Sequence, residues 1–99
     1  MADKKIIWSS RAKNELYQVL EFFLQRNGTP DYSLKLVEEI EDLISSLSQS
    51  ELIGRLTSNK FTRVIPMKVY LIFYEIKGDT IEIVSFWDNR QNGDNRISV

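Results

Sequence analysis

The 99-residue sequence contains no cysteine and no histidine. Without cysteine there is no disulfide framework and no thiol chemistry. Without histidine the commonest general base and the commonest metal ligand are both missing. No cofactor and no metal are expected, and the acids Glu38, Glu39, Glu41 and Asp42 are expected to form a solvated helix face. No run of 18 apolar residues is present, so the sequence offers no membrane-spanning helix. Its first residues, MADKKIIW, lack the apolar stretch of a secretory signal. A cytoplasmic location is expected. Neither sign of charge dominates: 13 basic residues face 14 acidic ones, for a net charge of −1. Dedicated nucleic-acid binders are usually basic, so broad, charge-driven binding to RNA or DNA is disfavoured.

What the chain does have is apolar material, at 42% hydrophobic and 11% aromatic residues. That is enough for one core and too short a chain for two. Residues 1–99 are expected to form a single domain, with the polar stretch 91–99 as a frayed tail. The charges are unevenly spread. Arg55, Lys60, Arg63 and Lys68 follow one another with no acid between Glu51 and Glu75. This stretch is either a solvated face or the place where an anionic partner is met.

The stretch from Phe61 to Asn92 reads as three strands. Tyr70, Ile72, Tyr74 and Ile76 alternate within the β-prone run Val69–Ile76. A second run, Ile81–Trp87, alternates Ile81, Ile83, Ser85 and Trp87 against Glu82, Val84 and Phe86. Lys77-Gly78-Asp79 between them is a hairpin turn signal. Phe61–Ile65 is a third strand, which Pro66 is expected to end.

Upstream, Lys5–Trp8 reads as a first strand, and Ser9 as the N-cap of a helix running to about Arg26. Ala12, Leu16, Val19, Leu20 and Phe23 share one helical face, while Lys13, Glu15, Gln18, Glu21 and Gln25 are expected to face water. Gly28 is a C-terminal stop. A second helix is expected with Thr29 as N-cap and Pro30 at its first position, carrying Leu36, Val37, Ile40, Leu43, Ile44 and Leu47 on one stripe to about Ser48. The class is therefore α+β: strand, helix, helix, three antiparallel strands, with the helix hairpin packed on one face of a small sheet. Arg63, inside an apolar strand, is either a contact for target or antitoxin on the uncovered face or a solvated or structurally paired side chain. A phenol needs a partner if buried, so one or both of Tyr70 and Tyr74 are expected at the sheet rim. Trp8 and Trp87 are either core or partner groove.

The sequence resembles the RelE/ParE superfamily of bacterial type II toxins along almost its whole length. The resemblance rests on Ile7-Trp8-Ser9 followed by Ala12 and Leu16; on Leu47 followed by Ile53-Gly54-Arg55; on Arg63 and Tyr70–Ile76; and on Ile81–Gln91, which closes Trp87-Asp88-Asn89-Arg90-Gln91. It implies a small toxin encoded beside an antitoxin, held inactive by an antitoxin segment in a hetero-oligomer. RelE-like members cleave messenger RNA at the ribosome; ParE-like members poison DNA gyrase. The sequence departs from the RelE pattern by carrying Leu71 where RelE has an arginine, and by lacking a tyrosine after Arg90. It also carries Glu51 where family members often have proline.

These departures favour a ParE-like growth inhibitor acting on gyrase. Arg55, Arg63, Tyr70, Trp87 and Arg90 are then the residues expected to contact target or antitoxin. The alternative is a ribosome-dependent endoribonuclease, for which Arg55, Arg63, Lys68 and Arg90 would hold the phosphate and Glu75, Glu82 or Asp88 would be the base. A third reading is a toxin fold that has lost its toxicity and survives as a binding module.

Overall fold

A computed structural model describes residues 4–89. The elements are β1 (Lys5–Trp8), α1 (Ser10–Asn27), α2 (Asp31–Gln49), β2 (Arg55–Leu56), β3 (Thr62–Met67), β4 (Tyr70–Lys77) and β5 (Thr80–Asp88). They form one five-stranded sheet in the order β1-β5-β4-β3-β2. β1 runs parallel to β5, and the remaining neighbours are antiparallel. The helix hairpin covers one face, giving the expected α+β arrangement. The two-residue strand β2 escapes periodicity, which needs more residues than it has.

Local signals set the helix ends. The Ser9 hydroxyl accepts from the Ala12 N–H at 3.0 Å, capping α1. Gly28 closes α1 at φ +72° and donates its N–H to the Leu24 carbonyl. α2 differs slightly from expectation: Pro30, not Thr29, is the boundary residue, and no side chain caps it. The Pro30 carbonyl accepts the Leu34 N–H at 2.8 Å, so the turn begins there without a capping hydroxyl.

The core lies between the helices and the inner sheet face. Ala12, Leu36, Ile40 and Leu47 meet Tyr70, Ile72, Tyr74, Ile81, Ile83 and Phe86. On the far face Val64 pairs with Phe73, and both are buried.

Three details differ from simple alternation. Pro66 does not end β3 but pairs with Leu71. The Thr57 N–H donates to the Thr62 carbonyl, so the backbone groups of Thr62, Val64 and Pro66 point towards the β2 side. β2 reaches only Val64, and the missing proline N–H falls on the free edge beyond it. A register shift lies where Phe73 pairs with Ser85 and Tyr74 with Ile83. Val84 is thus an extra residue, a bulge that moves Phe86 to the face of Ile81 and Ile83 and turns Trp87 to the other. Finally, Glu15 does not face water. Its carboxylate accepts from the Phe86 N–H at 3.0 Å and the Ser85 hydroxyl at 2.9 Å. β1 has ended at this level, so the free donors of the bulged strand are met by a carboxylate from α1.

Candidate functional site

The segment after α2 is pinned to the sheet by two side chains. Tyr74 is fully buried; its hydroxyl donates to the Glu51 carbonyl and accepts the Gly54 N–H, each at 2.8 Å. Arg63, opposite Tyr74 in the β3–β4 pairing, donates from Nη1 to the Gly54 carbonyl at 2.7 Å. Both peptide groups of Gly54 are thus held by side chains. Burial raises the Tyr74 phenol above its usual pKa, against a lowering by the Gly54 hydrogen bond and the Arg63 charge.

Arg63 is therefore not on the uncovered face. It shares the helix-side face with Tyr74, half-buried, and fastens a loop. Thr62, Val64 and Pro66 take the other face. Tyr70 is not at the rim either. It is fully buried, stacks on Phe86 at 4.9 Å between centroids, and places its hydroxyl 3.3 Å from that of Tyr32. A buried phenol has no surface to offer a partner, so its role is in the core.

Lys68 sits in the β3–β4 turn at φ +58° and pairs with Glu39 of α2 at 2.9 Å. Hydrogen bonding to that carboxylate raises the Lys68 pKa, with a smaller opposing effect of desolvation. Lys68, one residue past the end of β3, lies five residues from Arg63, roughly 16 Å at about 3.3 Å per residue of strand. Arg55 is exposed on β2 and has no ion pair among the described residues. Trp87 is half-buried opposite Leu71. Arg90 lies outside the described residues. Arg55 neighbours Arg63 across β2 and β3 but takes the opposite face, since it pairs with Val64, and Lys68 stands at the other end of β3, so the three candidate cations are not gathered round one point. Glu75 and Glu82 are engaged with Lys77. Among the described residues no cluster of acids could hold a metal ion, and no helix is long and apolar enough to cross a membrane.

The helix hairpin carries a feature that strand-centred reading passed over. An open groove of about 450 Å³ runs between α1 and α2, with Tyr17, Leu20, Leu24, Pro30, Leu34 and Val37 on its walls. A second groove of about 220 Å³ shares Tyr17 and Val37 and continues towards Trp8, Leu16, Ile40 and Ile44. Tyr17, Leu24 and Leu34 are exposed apolar side chains that belong to neither core stripe. Their surplus over the stripes is the sequence signal that marks this groove.

The sequence matches the model of the ParE toxin of the type II toxin-antitoxin system parDE over residues 6–93. The chain belongs to the ParE toxin family. Among solved structures, this ParE-family chain is similar to a chain of the chromosomal ParDE toxin-antitoxin system from P. aeruginosa. The TM-score is 0.74 at 20% identity, over 86% of this chain and 95% of the other. At that identity the likeness shows a shared fold. No curated protein sequence matches significantly. The ParE assignment covers β1 through β5, so the pinned Glu51–Gly54 segment and the α1–α2 groove both lie within the family domain.

Proposed function

We propose that this ParE-family toxin inhibits growth by acting on DNA gyrase, and that an antitoxin encoded beside it neutralises it by laying an apolar segment into the α1–α2 groove. One observation carries the choice of a protein target over ribosome-dependent RNA cleavage. A phosphate-cleaving site needs cations converging on one developing charge. Here Arg63 is spent on the Gly54 carbonyl and Lys68 on Glu39 at the far end of the strand. The balanced net charge agrees with this reading.

The groove favours an amphipathic segment that orders on binding, since its walls are mostly apolar and open along their length. Binding would stabilise the toxin by mass action. Expression of the chain alone in bacteria, scoring growth, DNA breaks and transcript integrity in one culture, tests the target. Arrest with broken DNA and intact transcripts is expected; arrest with cut transcripts and intact DNA overturns the reading. For the antitoxin, Leu24→Glu and Leu34→Glu are expected to weaken binding at least tenfold while leaving toxicity in place. Unchanged binding in both variants removes the groove as the docking site.

A further inference from the structure

The segment between α2 and β3 exposes four large apolar side chains in ten residues. Phe61 is 77% exposed, Leu52 66%, Ile53 46% and Leu56 44%. They stand at the β2 edge of the sheet, away from the helix groove. Lys60 precedes Phe61 in the loop, and Arg55 stands at the same edge on the opposite face from Leu56, since it pairs with Val64; neither cation has an ion pair among the described residues.

The loop that presents Phe61 is wired from within. The Asn59 side-chain oxygen accepts from the Phe61 N–H at 2.8 Å, the Thr62 N–H at 2.9 Å and the Thr57 hydroxyl at 3.1 Å. Its amide nitrogen donates to the Thr62 hydroxyl at 2.9 Å, which in turn donates to Glu75 at 3.1 Å. Lys60 holds φ +67° within this turn, a conformation that costs a side-chain-bearing residue more than glycine. The loop is thus stiff, with an aromatic side chain at its tip and a strained lysine beside it. Below it, Leu56 pairs with Arg63. Phe61 lies two residues before Arg63, a diagonal separation of about 7–8 Å that an aromatic ring spans.

The backbone at this edge makes a poor strand acceptor. β2 is two residues long, and the next edge position on β3 is Pro66, which has no N–H. Side chains, not a new strand, must therefore supply the contact. Exposed apolar residues beside unopposed cations match an apolar surface bordered by carboxylates. Two cations are few for a polyphosphate backbone, and four apolar side chains are of little use to one.

We propose that Phe61, Leu56 and Lys60, with Leu52 and Ile53 around them and Arg55 on the opposite face of the same edge, form the surface by which the toxin docks on an acidic, apolar patch of its target protein. This rests on the reading that the target is a protein. The stiff loop suits a folded partner, because little entropy is lost in ordering it. The open helix groove suits a segment that folds on binding. Target and antitoxin would then meet different faces.

The test compares wild type with Phe61→Asp, Lys60→Glu and Lys60→Gly. Measurements are growth inhibition, affinity for the antitoxin encoded beside the toxin, thermal midpoint, and direct binding to purified gyrase. Phe61→Asp is expected to lose at least tenfold in toxicity with antitoxin affinity unchanged within twofold, since position 61 is exposed and makes no core contact. Lys60→Glu is expected to follow it. Lys60→Gly relieves the positive φ, so its midpoint should hold or rise while toxicity falls, which separates docking from folding. Full toxicity in Phe61→Asp overturns the proposal. So does lost antitoxin binding with toxicity kept, or a wild type whose partner proves to be RNA, seen as cut transcripts and crosslinks at Phe61. If wild type fails to bind gyrase while Phe61→Asp still loses toxicity, the gyrase reading falls and the surface stands. If both bind gyrase equally, the surface falls and the gyrase reading stands.

Discussion

Gly54 lies against the ring of Tyr74, so close that a β-carbon at position 54 would fall 2.6 Å from the Tyr74 hydroxyl oxygen and 2.7 Å from Cε1. The glycine is demanded by close approach, since its φ is not in the left-handed region. The same contact lets the Gly54 N–H reach the phenol at 2.8 Å, and so ties the loop after α2 to the middle of the sheet.

Gly54→Ala is expected to destabilise the toxin by about 1–3 kcal/mol, the usual cost of overpacking a tight site. The urea midpoint measures it. Tyr74→Phe removes the hydroxyl clash but leaves the ring carbon in place, so the double variant should recover part of the loss, not all of it. Strict additivity of the two single effects would contradict a direct contact.

Tyr74→Phe alone leaves the buried Gly54 N–H and the part-buried Glu51 carbonyl without the phenol. The expected cost is about 1–3 kcal/mol. Hydrogen exchange at Gly54 should accelerate more than exchange in α1, because the effect begins in the loop. Equal exchange in the two places would show that the phenol does not anchor this segment.

Alkaline pH should expose the same residue. Burial raises the Tyr74 pKa above its ordinary value of 10.0. Below about pH 10 both folded and unfolded phenols keep their proton, and the contribution is fully present. Above it the unfolded phenol ionises first, so the unfolded state binds fewer protons and stability falls as pH rises towards the folded pKa. Thermal midpoints between pH 9 and 11 should drop more steeply in wild type than in Tyr74→Phe. Parallel curves would mean that Tyr74 titrates normally.

Glu15→Ala is expected to cost about 1–3 kcal/mol, because the Phe86 N–H and Ser85 hydroxyl lose their acceptor at the bulge. Glu15→Gln keeps an acceptor oxygen and should recover much of the loss. If both variants match wild type in denaturant midpoint, the bulge does not depend on the carboxylate.

Much of the fold was legible because its signals are local. The stripe Leu36, Ile40, Leu47, the serine cap at Ser9, the stop at Gly28 and the alternation Tyr70, Ile72, Tyr74, Ile76 each lie within a few turns or residues of chain. The ParE family was legible for a related reason: its motifs are spaced along those same elements. The site residues were far less so. Arg63 shows why. In β3 the sets Thr62, Val64, Pro66 and Arg63, Ile65, Met67 are both largely apolar, so alternation does not say which set meets the helices. Pairing with β4 decides it, and pairing joins residues distant in sequence.

The same limit applies to Trp87 and Glu15. A single extra residue at Val84 reverses every face beyond it, and that bulge exists only when β5 is in register with β4. Glu15 sits at a helical position that reads as solvated, until β1 ends and the donors of β5 need an acceptor. The type and order of every element but the two-residue β2, and the family, follow from the sequence alone, because they depend on near neighbours. Which side chains are buried, which cations are already engaged and which apolar residues remain exposed were decided by tertiary structure. Each of those depends on what another part of the chain, seventy residues away in the case of Glu15 and Ser85, brings alongside.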